Sequence, residues 1–169
     1  MNIFLLDHDL DTCARYHCDK HVVKMTLETA QILCSALHLL GVPHNGYKPS
    51  HIHHPCVVWA TRLPHFIWLR RFGRALSAEY TRRFQREHKS LQVINALPIP
   101  EMTVASPKYW ALAMPPQYIL YDYIDFGIGK ALDFIPDYVE SYRSYYRSKL
   151  GTFDMKYTNT EVPSWLIKE

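Results

Sequence analysis

Asp19, Lys20, His21, Lys24 and Glu28 fall within ten residues of one another, in the run C-D-K-H-V-V-K-M-T-L-E from Cys18 to Glu28. A carboxylate beside lysine and histidine can be held ionised, as a base for water or as a counter-charge to a cationic transition state. The plainer reading is an N-cap at Asp19 followed by a salt-bridged helix face. Lys24 preceding Glu28 is the weaker order for a helical ion pair, which favours a role beyond propping the helix. Asp7, His8, Asp9 and His17 crowd the same end of the chain and invite a metal reading. The spacing lacks a paired C-x-x-C, an H-E-x-x-H or an EF-hand loop, so metal rests on residue types alone and no metal or organic cofactor is assigned.

These residues need a helix to position them, and the stretch from Asp19 to Leu40 supplies one. Val22, Met25, Thr29, Ile32, Leu33, Ala36, Leu39 and Leu40 recur at three- and four-residue spacing, with Gly41 as a stop. Lys20, Lys24, Glu28, Gln31, Ser35 and His38 form a polar stripe closely flanked by Val23, Leu27, Ala30 and Leu37. A helix of about 22 residues, roughly 33 Å long, is expected in the middle of the protein with its ionisable residues lining a cleft.

Around it the chain reads as a mainly α, single compact helical domain spanning residues 1–169. Asn2 to Leu6, N-I-F-L-L, fits either a short buried strand or an anchored terminus, and Asp9 or Asp11 can cap a short helix through Tyr16. Val42 to Pro55, with four histidines that include His51 and His54, has loop chemistry. Pro55 opens a helix capped from His54, a longer one runs from Pro64 to about Glu87, Ser90 to Leu97 adds a turn or two, and Pro136 opens a last one stopped at Gly151. Residues 122–129 are ambiguous.

The net charge of +3 is too mild to prove a nucleic-acid partner, so the distribution of charge carries the argument. Arg71, Arg74, Arg82, Arg86 and Lys89 gather on one side of the long helix, and Tyr138 to Lys149 interleaves tyrosines with Arg143, Arg147 and Lys149. Tyrosine beside cations suits unstacked nucleotides, although a solvated face and a tyrosine core explain such runs as well. The four cysteines follow no disulfide framework, and no apolar run approaches the ~20 residues that cross a bilayer. The expectation is a reduced, cytoplasmic protein without a membrane role or an obligate protein partner.

The opening N-I-F-x-L-D-x-D, the block C-A-x-Y-H-C-D-K-H-V-V-K-M-x-L-E-T-A-Q, the later H-P-x-x-x-W-A, the loop A-M-P-P-Q-Y and the ending Y-R-S-Y-Y-R-S-K with P-S-W resemble a family of small phage and bacterial proteins associated with DNA glycosylases. The resemblance spans nearly the whole chain. It implies excision of a damaged or hypermodified pyrimidine from double-stranded DNA, leaving an abasic site, with modified phage DNA as substrate and antiviral defence as the setting. Such an enzyme flips its base into a pocket and stabilises positive charge on the sugar. Asp19 is the first choice for that carboxylate, with Asp9, Asp7 and Glu28 as alternatives and His21 beside them; Lys20 or Lys24 offers a Schiff base instead. Substrate and DNA contacts are expected from Lys20, Tyr16, Gln31, His51, His54, Trp59, Arg62, Arg71, Arg74, Lys108, Tyr142, Arg143 and Arg147. A non-catalytic DNA-binding or phage regulatory module, and a metal-dependent nucleotide hydrolase, are the competing classes.

Overall fold

The helical periods read from the sequence appear as six α-helices in a computed structural model, which describes residues 1–101, 110–122 and 135–167. Lys108 and the ambiguous stretch beyond Asp122 lie outside the described residues. The helices are α1 (Leu10–Tyr16), α2 (Asp19–Leu39), α3 (Pro55–Ala60), α4 (Leu63–Phe84), α5 (Ser90–Ala96) and α6 (Tyr138–Arg147). Two-residue strands at Tyr121–Asp122 and Ile135–Pro136 pair antiparallel and are the only sheet among the described residues. Pro136 therefore lies in this pairing instead of opening the last helix, which Asp137 caps by accepting from the Glu140 amide at 2.9 Å.

Helix α2 is the spine. Val22, Met25, Thr29, Ile32, Leu33 and Ala36 are buried as their spacing predicts, whereas Leu39 in the last turn is exposed. Gly41 ends the helix region at φ +67°, a left-handed conformation that glycine adopts without a Cβ clash. At Gly73 of α4 a Cβ would stand 2.7 Å from Thr29 Cγ2 and 2.8 Å from Ile94 Cδ1, so glycine is what lets α4 approach α2 and α5 this closely. The other side of α2 is more open than expected. Val23 and Leu27 are 41% and 37% exposed, and Lys20 and Lys24 beside them face solvent.

The N-terminal segment is core without being a strand. Ile3, Phe4, Leu5 and Leu6 are all buried, each side chain contributing about 1.5–3 kcal/mol by leaving water. Side chains take the place of a neighbouring strand: Cys13 Sγ accepts from the Leu6 amide at 3.2 Å and donates to the Phe4 carbonyl at 3.4 Å, and Arg143 Nε donates to the Leu6 carbonyl at 2.8 Å. With backbone groups paired in this way, the segment lies along α2, and the Phe4 ring stacks 5.1 Å from His21.

A second interior feature ties four parts of the chain together. The Arg83 guanidinium, wholly buried, donates to Glu79 Oε1 at 2.6 Å, to Asp19 Oδ1 at 2.9 Å and to the Arg15 carbonyl at 2.9 Å. Thr158 donates to Asp19 through its hydroxyl at 2.7 Å and through its amide, and Asn159 donates to the Arg83 carbonyl at 3.1 Å. Asp19 is thus the first helical residue, not the N-cap; Cys18 occupies the cap position without a side-chain bond, because the Asp19 carboxylate is turned toward Arg83 and Thr158. Burial alone would raise the pKa of Asp19 and of Glu79. For Asp19 the Thr158 and Arg83 bonds outweigh it, and for Glu79 the Arg82 and Arg83 bonds do, so both carboxyls are held below their ordinary range.

Arg83→Met is expected to destabilise the fold by about 3–5 kcal/mol, since it strands buried carboxylates. Because both folded-state pKa values are depressed, the unfolded chain binds protons first on acidification. The stability from this network is complete above the ordinary carboxylate pKa of about 4 and is lost as pH falls through the lower folded values. Denaturant titrations across that range should show the acid limb in the native chain and a flatter one in Arg83→Met.

Candidate active site

On α2, Lys20, Lys24 and Glu28 follow one another at four-residue spacing along one strip of surface, with half-buried Gln31 next. Glu28 is 8% exposed. The buried N-terminal segment delivers the start of the chain to it: the Asn2 amide donates to Glu28 Oε2 at 2.9 Å, and the Met1 ammonium stands 3.9 Å from Oε1. Asn2 Nδ2 donates to the Ala113 carbonyl at 2.9 Å and fixes the approach. Lys24 Nζ lies 3.6 Å from Glu28 Oε1; its side chain is 60% exposed, against 4% at the Met1 end of the other pair.

His54 joins this cluster from the loop before α3. Its Nδ1 accepts from the Cys56 amide at 3.2 Å, so a neutral ring carries its proton on Nε2. Burial lowers its pKa; the charges of the amino terminus and His51 act in the same direction and Glu28 opposes them. His51 itself is exposed, with φ +50°. An amine held against a shielded carboxylate can attack an electrophilic sugar carbon and has beside it a group that supports the charge that develops and takes a proton.

The other carboxylates expected from the sequence lie elsewhere. Asp19 belongs to the Arg83 network. Asp9 is the exposed N-cap of α1, accepting from Thr12 at 2.8 Å, and Asp7 pairs with Arg143 at 3.1 Å. His21 is buried, its Nδ1 2.8 Å from the Tyr146 hydroxyl, which also accepts from the Cys18 amide at 2.9 Å. Burial first, then the charges of His17, Lys149, Lys24 and Lys20, pushes His21 down to about 3, so it is a neutral ring at physiological pH.

The expected nucleic-acid contacts divide in the same way. Trp59, 1% exposed and stacked 4.3 Å from His65, is core, and so is Tyr142, fully buried with its hydroxyl donating to the Ala111 carbonyl at 2.7 Å. These two placements correct the assignment of both rings to a DNA surface. Tyr16 is half-buried, its carbonyl accepting from the Tyr157 hydroxyl. Arg143 is tied to Asp7, to Glu140 and to the Leu6 carbonyl, while Arg147 reaches Glu140 at 3.9 Å and the Trp165 carbonyl at 3.3 Å. Arg62 precedes α4 and is half-buried. Arg71 and Arg74 are exposed and line a groove with His8, Asp9 and Asp11, where Arg74 Nε also donates to Asn95 Oδ1.

The amino terminus beside Glu28 is the ionisable group that residue spacing missed. Its signal is the apolar run directly behind it: the buried I-F-L-L of Ile3 to Leu6 carries the first residues of the chain into the protein. Among the described residues no three His, Cys, Asp or Glu side chains gather as a metal set, and no helix is long and apolar enough to cross a membrane.

Comparison with known proteins finds one family. The family model described as pyrimidine dimer DNA glycosylase matches residues 1–92, which cover the N-terminal segment, Glu28 and His54. Neither the curated proteins nor the solved structures contain a match to the chain. The match takes in more than half of the sequence, and the chain belongs to the pyrimidine dimer DNA glycosylase family.

Proposed function

We propose that the chain excises damaged pyrimidines from double-stranded DNA through its amino-terminal amine and Glu28, acting as one unit. The observation that carries this reading is the shielded amine–carboxylate pair, 3.9 Å apart, at the end of a buried N-terminal segment. Loss of Met1 would leave the Asn2 nitrogen in the same place, 2.9 Å from Glu28, so either start brings an amine to the carboxylate.

In this mechanism the amine first gives up its proton, with Glu28 as the carboxylate placed to receive it. Its lone pair then attacks C1′ of the flipped nucleotide while the N-glycosidic bond breaks, and the base leaves with that bonding pair and takes up a proton. Glu28, again ionised, faces the cationic sugar–amine adduct. Opening of the sugar ring gives an imine between the amine and C1′, and water releases the abasic product. Lys24 is the weaker candidate for the amine because its side chain is mostly in solvent. The single domain, the cytoplasmic setting and the absence of a cofactor are part of this proposal.

The family name supports a pyrimidine dimer as the first substrate, and the hypermodified pyrimidines of phage DNA, with an antiviral role, form the finer expectation. Incubation with dimer-containing duplex, with undamaged duplex and with phage DNA rich in modified pyrimidines, followed by abasic-site detection, separates them. Excision confined to one damaged or modified substrate supports the reading; formation of no abasic sites on any of the three overturns it.

Substitution tests the assignment within the site. Glu28→Gln is expected to keep the fold and DNA binding while losing on the order of a hundred- to a thousand-fold in single-turnover excision, the scale for deleting a preorganised electrostatic group. Asp19→Asn is expected to lower thermal stability through the Arg83 network and to leave the excision rate of the folded fraction within about threefold. A large rate loss in Asp19→Asn with Glu28→Gln near native would return catalysis to Asp19.

A further inference from the structure

The arginines that give the sequence its basic look are largely neutralised within the fold. Arg82 and Arg83 share Glu79, Arg83 also holds Asp19, and Arg143 and Arg147 meet Glu140, with Asp7 on Arg143 as well. The lysines at the open side of α2 are held differently. Lys20 Nζ lies 4.7 Å from the centre of the Phe153 ring, and Lys149 Nζ lies 4.2 Å from Tyr145 and 5.7 Å from Phe4. Among the described residues, lysine ion pairs are confined to Lys24–Glu28 and Lys156–Asp154. A π face orients an ammonium without cancelling its charge, whereas a carboxylate cancels it.

These lysines converge on one place. Phe4 and Phe153 both pack against His21, their ring centres 5.1 and 5.2 Å from that of the imidazole. Lys20 sits on the Phe153 ring and Lys149 beside the Phe4 ring. Lys24 follows one helical turn after Lys20, and Glu28 one turn after that. Eight residues of helix carry the strip about 12 Å from Lys20 to Glu28, and a strand with a phosphate roughly every 3.4 Å of helix axis presents about three phosphates over that length.

We propose that Lys149, Lys20 and Lys24 form a rim that grips the phosphates of one DNA strand and leads it across α2 to the amine–Glu28 pair. This places the strand over α2 and the end of α6, not along the Arg71 and Arg74 face of α4. It rests on the reading of the chain as a DNA-acting enzyme and specifies the surface that reading leaves open.

The test is the salt dependence of binding to a dimer-containing duplex between roughly 50 and 200 mM salt, with excision followed in parallel. In the double variant Lys20→Gln/Lys149→Gln the slope of log K against log salt should fall by about 1.8, which is about 0.9 for each phosphate no longer neutralised. Lys20→Arg/Lys149→Arg, which keeps the charges, should restore it, and Arg71→Gln/Arg74→Gln should leave it unchanged. Thermal melting serves as the fold check, and exposed Lys20 and half-buried Lys149 make native-like melting the expectation. An unchanged slope in the glutamine pair, a fall that arginine does not rescue, or an equal fall in the Arg71/Arg74 pair overturns the rim. If excision proceeds while the slope is unchanged, the rim fails and the glycosylase reading stands. If the slopes change as stated and no base is released from any substrate, the rim stands and that reading fails; no measurable DNA binding overturns both.

Discussion

The structure depends on the burial of four residues directly behind the chain start. Ile3 to Leu6 have no strand partner, and Cys13, Arg143 and the Asn2 side chain meet their backbone groups instead. A register shift of one residue along α2 would break these bonds and move Asn2 off Glu28 together. The segment that completes the core is therefore also the arm that sets the amine. Desolvating Glu28 is costly unless it is paired, and its partners, the Asn2 amide, the Met1 amine and Lys24, supply that pairing. Core packing and site geometry are one constraint here.

Electrostatics divides the remaining charges by duty. Arg83, wholly buried, directs its guanidinium at Glu79, Asp19 and a carbonyl, and so locks α1, α2, α4 and the segment around Thr158 to one another. Arg143 does the same between α6 and the N-terminal segment. Both arginines present several fixed donors at once, which suits interior stapling. Lys20 and Lys149 stay at the edge of α2 on ring faces, where a flexible stem and an uncancelled charge suit contact with a mobile polyanion. This division explains how a chain of modest net charge, +3, keeps a cationic surface beside its site.

Much of this was legible in the sequence wherever a period or a cap carried the signal. The α2 span, the His54 cap with Pro55 behind it, the Gly41 stop and the buried face from Val22 to Ala36 follow from local spacing. The strip Lys20, Lys24, Glu28 and Gln31 was legible for the same reason. What spacing could not reveal depends on distant partners. Asp19 reads as a cap or a catalyst until Arg83 and Thr158, 64 and 139 residues away, are seen to claim it. Tyr142 and Arg143 are neighbours in an interleaved run, yet one fills the core and the other clamps Leu6 and Asp7. The amino terminus is not a residue type at all, so no motif flagged it.

Borohydride trapping tests the central claim most directly. If the amine at the chain start attacks the sugar, reduction during turnover of a dimer-containing duplex should fix the protein to DNA in a covalent adduct. Peptide mapping should then place the adduct on the first residue, and blocking that amine by acetylation should abolish trapping while the fold persists. An adduct mapped to Lys24 or Lys20, or trapping that survives the blocked terminus, would contradict the account.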